Sequence, residues 1–157
     1  MKLCLTAILL CLSVLAQANA LGIRNRNPGN IRGRNCAVWP GCIGKDSQGH
    51  LIFRKPIHGI KAIVINLKIY RDRHKIRTLQ GVANRWVKAY PQADKDRYAK
   101  ILAYQVSKFS GRRITPRSRL NMWDAGTLEA VTRAIIWVEV GKSDYGKEYS
   151  AVFPRLK

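Results

Sequence analysis

Twelve residues, Gly22 to Gly33, constrain this chain more than any other stretch: Gly-Ile-Arg-Asn-Arg-Asn-Pro-Gly-Asn-Ile-Arg-Gly. They show neither the 3.6-residue period of an amphipathic helix nor the alternation of a half-buried strand. Three Asn, three Gly, three Arg and one Pro make the segment a shaped loop. Asn27-Pro28-Gly29-Asn30 is a turn with a mechanism. Pro28 presets φ at the first central position, Gly29 tolerates φ > 0, and the Asn side chains can bond local backbone.

Residues 1–20 read as a signal peptide rather than as part of the fold. Lys2 supplies a positive start, Leu3 to Ala16 an apolar run, and Ala18-Asn19-Ala20 a small-x-small cleavage site. The apolar run is shorter than the roughly 18–20 residues of a membrane span. The expectation is therefore an exported protein, periplasmic or secreted, with no membrane span after cleavage. Residues 21–157 would then form one domain of 137 residues (157 minus 20) with a single core.

The charge is lopsided, with 29 Lys and Arg against 9 Asp and Glu. Such a surface implies a polyanionic partner. Export favours peptidoglycan or another anionic envelope polymer, with nucleic acid a less favoured alternative. Cleavage would leave two cysteines, Cys36 and Cys42, which in an exported chain are expected to pair. The histidines and cysteines show no His-x3-His or Cys-x2-Cys spacing, so neither a metal nor a cofactor is expected.

The pattern predicts a mainly α, α+β domain with a small N-terminal β element. Short apolar patches between turn signals over 36–53 suggest two or three short strands, with the disulfide pinning a hairpin. A helix is expected from Ile57 to about Arg73. A second is capped by Thr78 and stops before Pro91, and a third runs from Ala93 or Asp94 to Gly111. A last one runs from Asp124 or Thr127 to Gly141, where glycine fits a helix end. Arg112 to Arg119 is expected to be a solvated basic linker.

Nine acidic residues make a short census. Most suit ordinary roles: Asp46 in a turn, Asp94 and Asp96 at a helix start, Asp124 as a cap, Glu129 in a first turn. Glu139 does not. It falls in the last turn of its helix, where the dipole disfavours negative charge, on the apolar stripe with Ile135 and Leu128. A carboxyl in apolar surroundings is pushed towards its protonated form, which suits a glycosidic general acid. Asp144 is the acidic residue nearest to it in sequence, but no second carboxylate is placed by spacing.

The loop also carries a resemblance. Gly22-Ile23-Arg24-Asn25-x-Asn27-Pro28-Gly29-Asn30-Ile31-Arg32 is followed by Trp39-x-Gly41, Phe53 and Gly59-Ile60-x-Ala62. Trp86, Tyr98 and Ala134-Ile135-Ile136-x-x-Glu139-x-Gly141 follow in turn. This order resembles a family of small phage virion and bacterial proteins opening with Gly-Ile-Arg-Asn-Asn-Asn-Pro-Gly-Asn-Ile-Arg. Taken as circularly permuted, it is also similar to the lysozyme superfamily, as in lytic transglycosylases and glucosaminidases.

The resemblance implies a lysozyme-like helical domain that cleaves peptidoglycan, hydrolytically or as a lytic transglycosylase. Glu139 would be the general acid, with Tyr98 reaching into the cleft. Asn27, Pro28, Gly29 and Asn30 would form the cleft loop, and Arg32 and Trp39 would add further substrate contacts. Where relatives read His-Glu-Asn-Gly, this chain has Val138-Glu139-Val140-Gly141. The alternative from another class is a non-catalytic basic protein that binds cell wall, lipopolysaccharide or nucleic acid.

Overall fold

The structure, a computed structural model, describes residues 21–141 and 145–154. The expected signal peptide (1–20) and Asp144 lie outside the described residues. The fold is mainly helical with one two-stranded antiparallel sheet, the expected α+β class.

Strands β1 (Cys42–Lys45) and β2 (Leu51–Phe53) form the sheet, with Lys45 opposite Leu51 and Cys42 opposite Phe53. The Cys36–Cys42 disulfide is formed, with Cα atoms 5.5 Å apart, and closes the turn that leads into β1. The opening loop runs along the other side of β2. Phe53 N–H donates to Asn25 O and Leu51 N–H to Ile31 O, each at 2.9 Å, and Arg32 forms an isolated bridge with His50. The loop thus pairs with the free side of β2 through isolated bonds, and the sheet keeps two strands, within the two or three expected over 36–53.

After a helical turn at 21–24, the longer helices are α1 (Pro56–His74), α2 (Leu79–Trp86), α3 (Gln92–Ser110), α4 (Ala125–Val140) and α5 (Gly146–Val152). Their ends follow local chemistry. Pro56 occupies the start of α1, where a missing N–H costs nothing. The Thr78 hydroxyl accepts from Gly81 N–H at 3.1 Å, and the Asp124 carboxylate from Thr127 N–H at 2.7 Å. Gly111 ends α3 in the left-handed region. Helix α5 had no expected counterpart, because seven residues offer too little periodicity to read.

The core is one apolar cluster. It gathers Ile60, Ile63 and Leu67 of α1, Leu102 and Val106 of α3, Val131 and Ile135 of α4, and Leu51 and Phe53 of β2. Helices α3 and α4 form the most extensive pair. The segment 112–119 is exposed at most positions yet is more tightly tied than a solvated linker. Ile114 N–H donates to Ser107 Oγ at 2.9 Å, and Gln80 N–H donates to Pro116 O at 2.8 Å.

Candidate active site

The turn at 27–30 has the expected closure, with Asn30 N–H donating to Asn27 O at 2.9 Å. Its left-handed residue is not Gly29, however, but Asn30, with φ 47°. Asn is one of the few residues that accept this region. Gly29 is needed for close approach instead: a Cβ there would stand 2.7 Å from Ile63 and 3.1 Å from Trp86. Gly59 of α1 serves the same contact from the other side, since a Cβ on it would meet Arg26 O and Pro28. Small residues thus let the loop lie directly on α1.

Asn27 anchors this arrangement. It is fully buried, and its amide works in three directions: Nδ2 donates to Ile31 O and Leu51 O, both at 2.9 Å, and Oδ1 accepts from Ile31 N–H at 3.0 Å. Pro28 and Gly29 are buried as well. These three residues build the loop from inside. Asn27, Pro28 and Gly29, expected as substrate contacts, are thus enclosed residues that shape the loop.

Asn30 points the other way. Its Nδ2 donates to Glu139 Oε2 at 3.2 Å and to the Glu139 backbone carbonyl at 3.3 Å. A Cβ on Gly22 would collide with Val140, so the loop's first residues also press on the end of α4. The fold therefore brings residues 22–30 against a helix end more than a hundred positions later.

Tyr98, in the second turn of α3, completes the contact: its hydroxyl donates to Glu139 Oε1 at 2.8 Å. The Trp86 side chain, at the end of α2, provides a further hydrogen bond to the carboxyl. Tyr70 of α1 meets Trp86 edge to face at 6.2 Å, and the Arg85 guanidinium lies 5.5 Å from the Tyr70 ring centre. Glu139 as a residue is half-buried, with its carboxyl ringed by these groups.

Burial raises the Glu139 pKa above the ordinary carboxyl value, and the hydrogen bonds from Tyr98, Asn30 and Trp86 pull against it without cancelling it. Burial, together with the neighbouring Glu139 charge, pushes Tyr98 well above the ordinary phenol value, so Tyr98 keeps its proton.

This geometry distinguishes the two carboxyl oxygens. An amide NH2 can only donate, so Oε2 facing Asn30 remains an acceptor in both protonation states. A phenol can donate or accept, so the contact with Tyr98 survives protonation by reversing direction. The Tyr98 contact is therefore the one compatible with a proton on Oε1. Once that proton leaves, Tyr98, Asn30 and Trp86 all stabilise the carboxylate.

Arg32 and Trp39 belong to the hairpin. Arg32 Nε donates to His50 Nε2 at 3.1 Å, and the His50 Nδ1 edge faces Asp46 at 3.3 Å. Trp39 is half-buried and packs against the core beside Gly33. The structure thus joins Glu139, Tyr98 and Asn30 and ties Arg32 and Trp39 to the β element. Trp86 and Tyr70 were not placed at the site by spacing, since each sits on an ordinary apolar stripe of its own helix. Among the described residues, no cluster of three His, Cys, Asp or Glu side chains could hold a metal.

Comparison with known proteins adds one likeness. The chain is similar to Protein P5 of Pseudoalteromonas phage PM2, 29% identical over 129 residues, spanning 80% of this chain and 74% of that protein. No family model matches.

Proposed function

We propose that this chain is an exported, lysozyme-like glycosidase acting on peptidoglycan, with Glu139 as its single general acid. The observation that carries the proposal is the Glu139 carboxyl itself, raised by burial and contacted by Tyr98 and Asn30. A general acid must hold its proton until the glycosidic oxygen takes it, and burial serves that need. Substrate displaces Tyr98 as the acceptor of the Oε1 proton, and the glycosidic oxygen receives it as the bond to the sugar breaks. The substrate's own 6-hydroxyl then captures the oxocarbenium-like centre and gives its proton to the Glu139 carboxylate, or the acetamido oxygen captures it and water opens the resulting ring, its proton returning to Glu139. Tyr98 and Asn30 stabilise the carboxylate left behind. The basic surface holds the protein on an anionic wall through contacts that weaken with salt.

The test is incubation of the mature protein and a Glu139→Gln variant with purified sacculi, followed by mass spectrometry of the soluble products. Muropeptides released by the wild type alone support the proposal, and their masses separate hydrolysis from anhydro-forming cleavage. Equal, negligible release by both sinks it in favour of a basic binding protein.

A further inference from the structure

Lys75, Arg77 and Arg119 line one concavity, whose wall is completed by Ile76, Thr78 and Gly81. None of these six residues is acidic. The concavity forms where residues 116–120 cross the start of α2. Gln80 N–H donates to Pro116 O and Leu120 N–H to Arg77 O, both at 2.8 Å. Arg119 is therefore carried on backbone fixed to the same segment that carries Arg77.

The Arg77 guanidinium lies over the Trp123 ring, 4.4 Å from its centre. Stacking of this kind fixes the guanidinium plane while leaving its N–H edges free to donate. Arg71 lies over the same ring at 4.7 Å, but its donors are committed. Asp72 accepts from its Nε and Nη2 at 2.6 and 2.8 Å, and Met122 O from its Nη1 at 3.2 Å. Asp72 thereby directs its carboxylate to Arg71, while Lys75 Nζ bonds the Asp72 backbone carbonyl at 2.7 Å. Lys75, Arg77 and Arg119 all line this hollow and no acidic residue does, so an entering anion meets a positive field.

We propose that this concavity binds the phosphodiester groups of a sugar- or polyol-phosphate polymer, at a place distinct from Glu139. Phosphate oxygens match the fork of an oriented guanidinium and the point charge of a lysine. A concave seat takes one backbone phosphate at a time. Single-stranded nucleic acid would also need a free aromatic face for its bases, and here the Trp123 ring carries Arg71 and Arg77.

The test is calorimetric titration of the full mature chain with poly(glycerol phosphate) at fixed ionic strength. Poly-glutamate and oligo-deoxythymidine of equal charge serve as comparison ligands. The paired variant Arg77→Gln/Arg119→Gln should weaken poly(glycerol phosphate) binding about tenfold or more through loss of charge-assisted contacts. Arg119→Gln alone, at an exposed side chain, should give a smaller loss. Lys61→Gln/Lys100→Gln, the same charge change at exposed positions on α1 and α3, should stay within about twofold of wild type. Equal weakening by the two pairs, or binding of either comparison ligand as tightly as the phosphate polymer, would overturn the site. Muropeptide release from sacculi stripped of phosphate polymers should not change in Arg77→Gln/Arg119→Gln, so failure of this site is distinguishable from failure of the Glu139 proposal.

Discussion

The opening loop reaches two carboxylates through two asparagines, and the two environments push in opposite directions. At one end, Asn25 Nδ2 donates to Asp46 at 2.7 Å, and the backbone N–H groups of Gln48 and His50 add donors at 2.9 Å. Partial burial opposes these bonds but loses, and Asp46 is held below the ordinary carboxyl value. At the other end, Asn30 donates to Glu139 at 3.2 Å, Tyr98 and Trp86 help, and burial still wins. Donors therefore do not decide protonation alone. Asp46 sits in a turn whose backbone amides converge on it, whereas Glu139 closes a helix where backbone N–H groups are already used.

The largest expected effect lies at Glu139. Glu139→Gln should lower muropeptide release by about 10²- to 10⁴-fold, the usual scale of general acid catalysis, while circular dichroism stays native. Asn25→Ala, at the other carboxylate, should leave release near wild type. An equal loss from both variants would erase the functional distinction between the two ends.

Next in size is the contrast between Asn27 and Asn30. Asn27→Ala leaves the Ile31 N–H and the Leu51 carbonyl unpaired in the core, while Ile31 O keeps its bond from Leu51 N–H, and should cost about 2–3 kcal/mol in urea denaturation. Asn30→Ala removes bonds at a half-buried edge and should cost about 1 kcal/mol, but it should raise the Glu139 pKa further. Tyr98→Phe should raise it too, and should slow release about tenfold by removing a donor from the departing carboxylate.

The smallest effect is the pH dependence of stability, which has opposite signs at the two ends. A raised folded pKa means that the folded state binds more protons, so the Glu139 contribution is complete at low pH and is lost as pH rises through its folded value. Relative to wild type, Glu139→Gln should therefore gain stability as pH rises. The Asp46 contribution is present above the ordinary carboxyl value and is lost as pH falls through its lowered one. Asn25→Ala should therefore be compared with wild type in acid. Thermal melts across pH would show both trends, and parallel curves for the two variants would remove the contrast.

Local chemistry was legible in the chain. Thr78, Asp124, Gly111 and Gly141 mark helix ends through bonds or torsions confined to a few residues, and the observed ends agree within a residue or two. Glu139, Tyr98 and Asn30 stood out individually, by place on a helix or by resemblance. What sequence could not supply was direction. Asn27 and Asn30 are the same residue type in one turn, yet one faces inward and the other outward. That outcome depends on the left-handed torsion at Asn30 and on α1 lying beneath Gly29. Trp86 joins the site for a similar reason: its helix had one apolar stripe, and only packing shows which of its residues ends beside the carboxyl.

The most direct measurement is a carbon-13 titration of the Glu139 and Asp46 side-chain carboxyls in selectively labelled protein spanning residues 21–157, with Glu139→Gln and Asp46→Asn used for assignment. Glu139 should titrate above the ordinary carboxyl value and Asp46 below it. A Glu139 midpoint at or below the ordinary value would mean that its three donors outweigh its burial, and would contradict its role as a proton-holding acid.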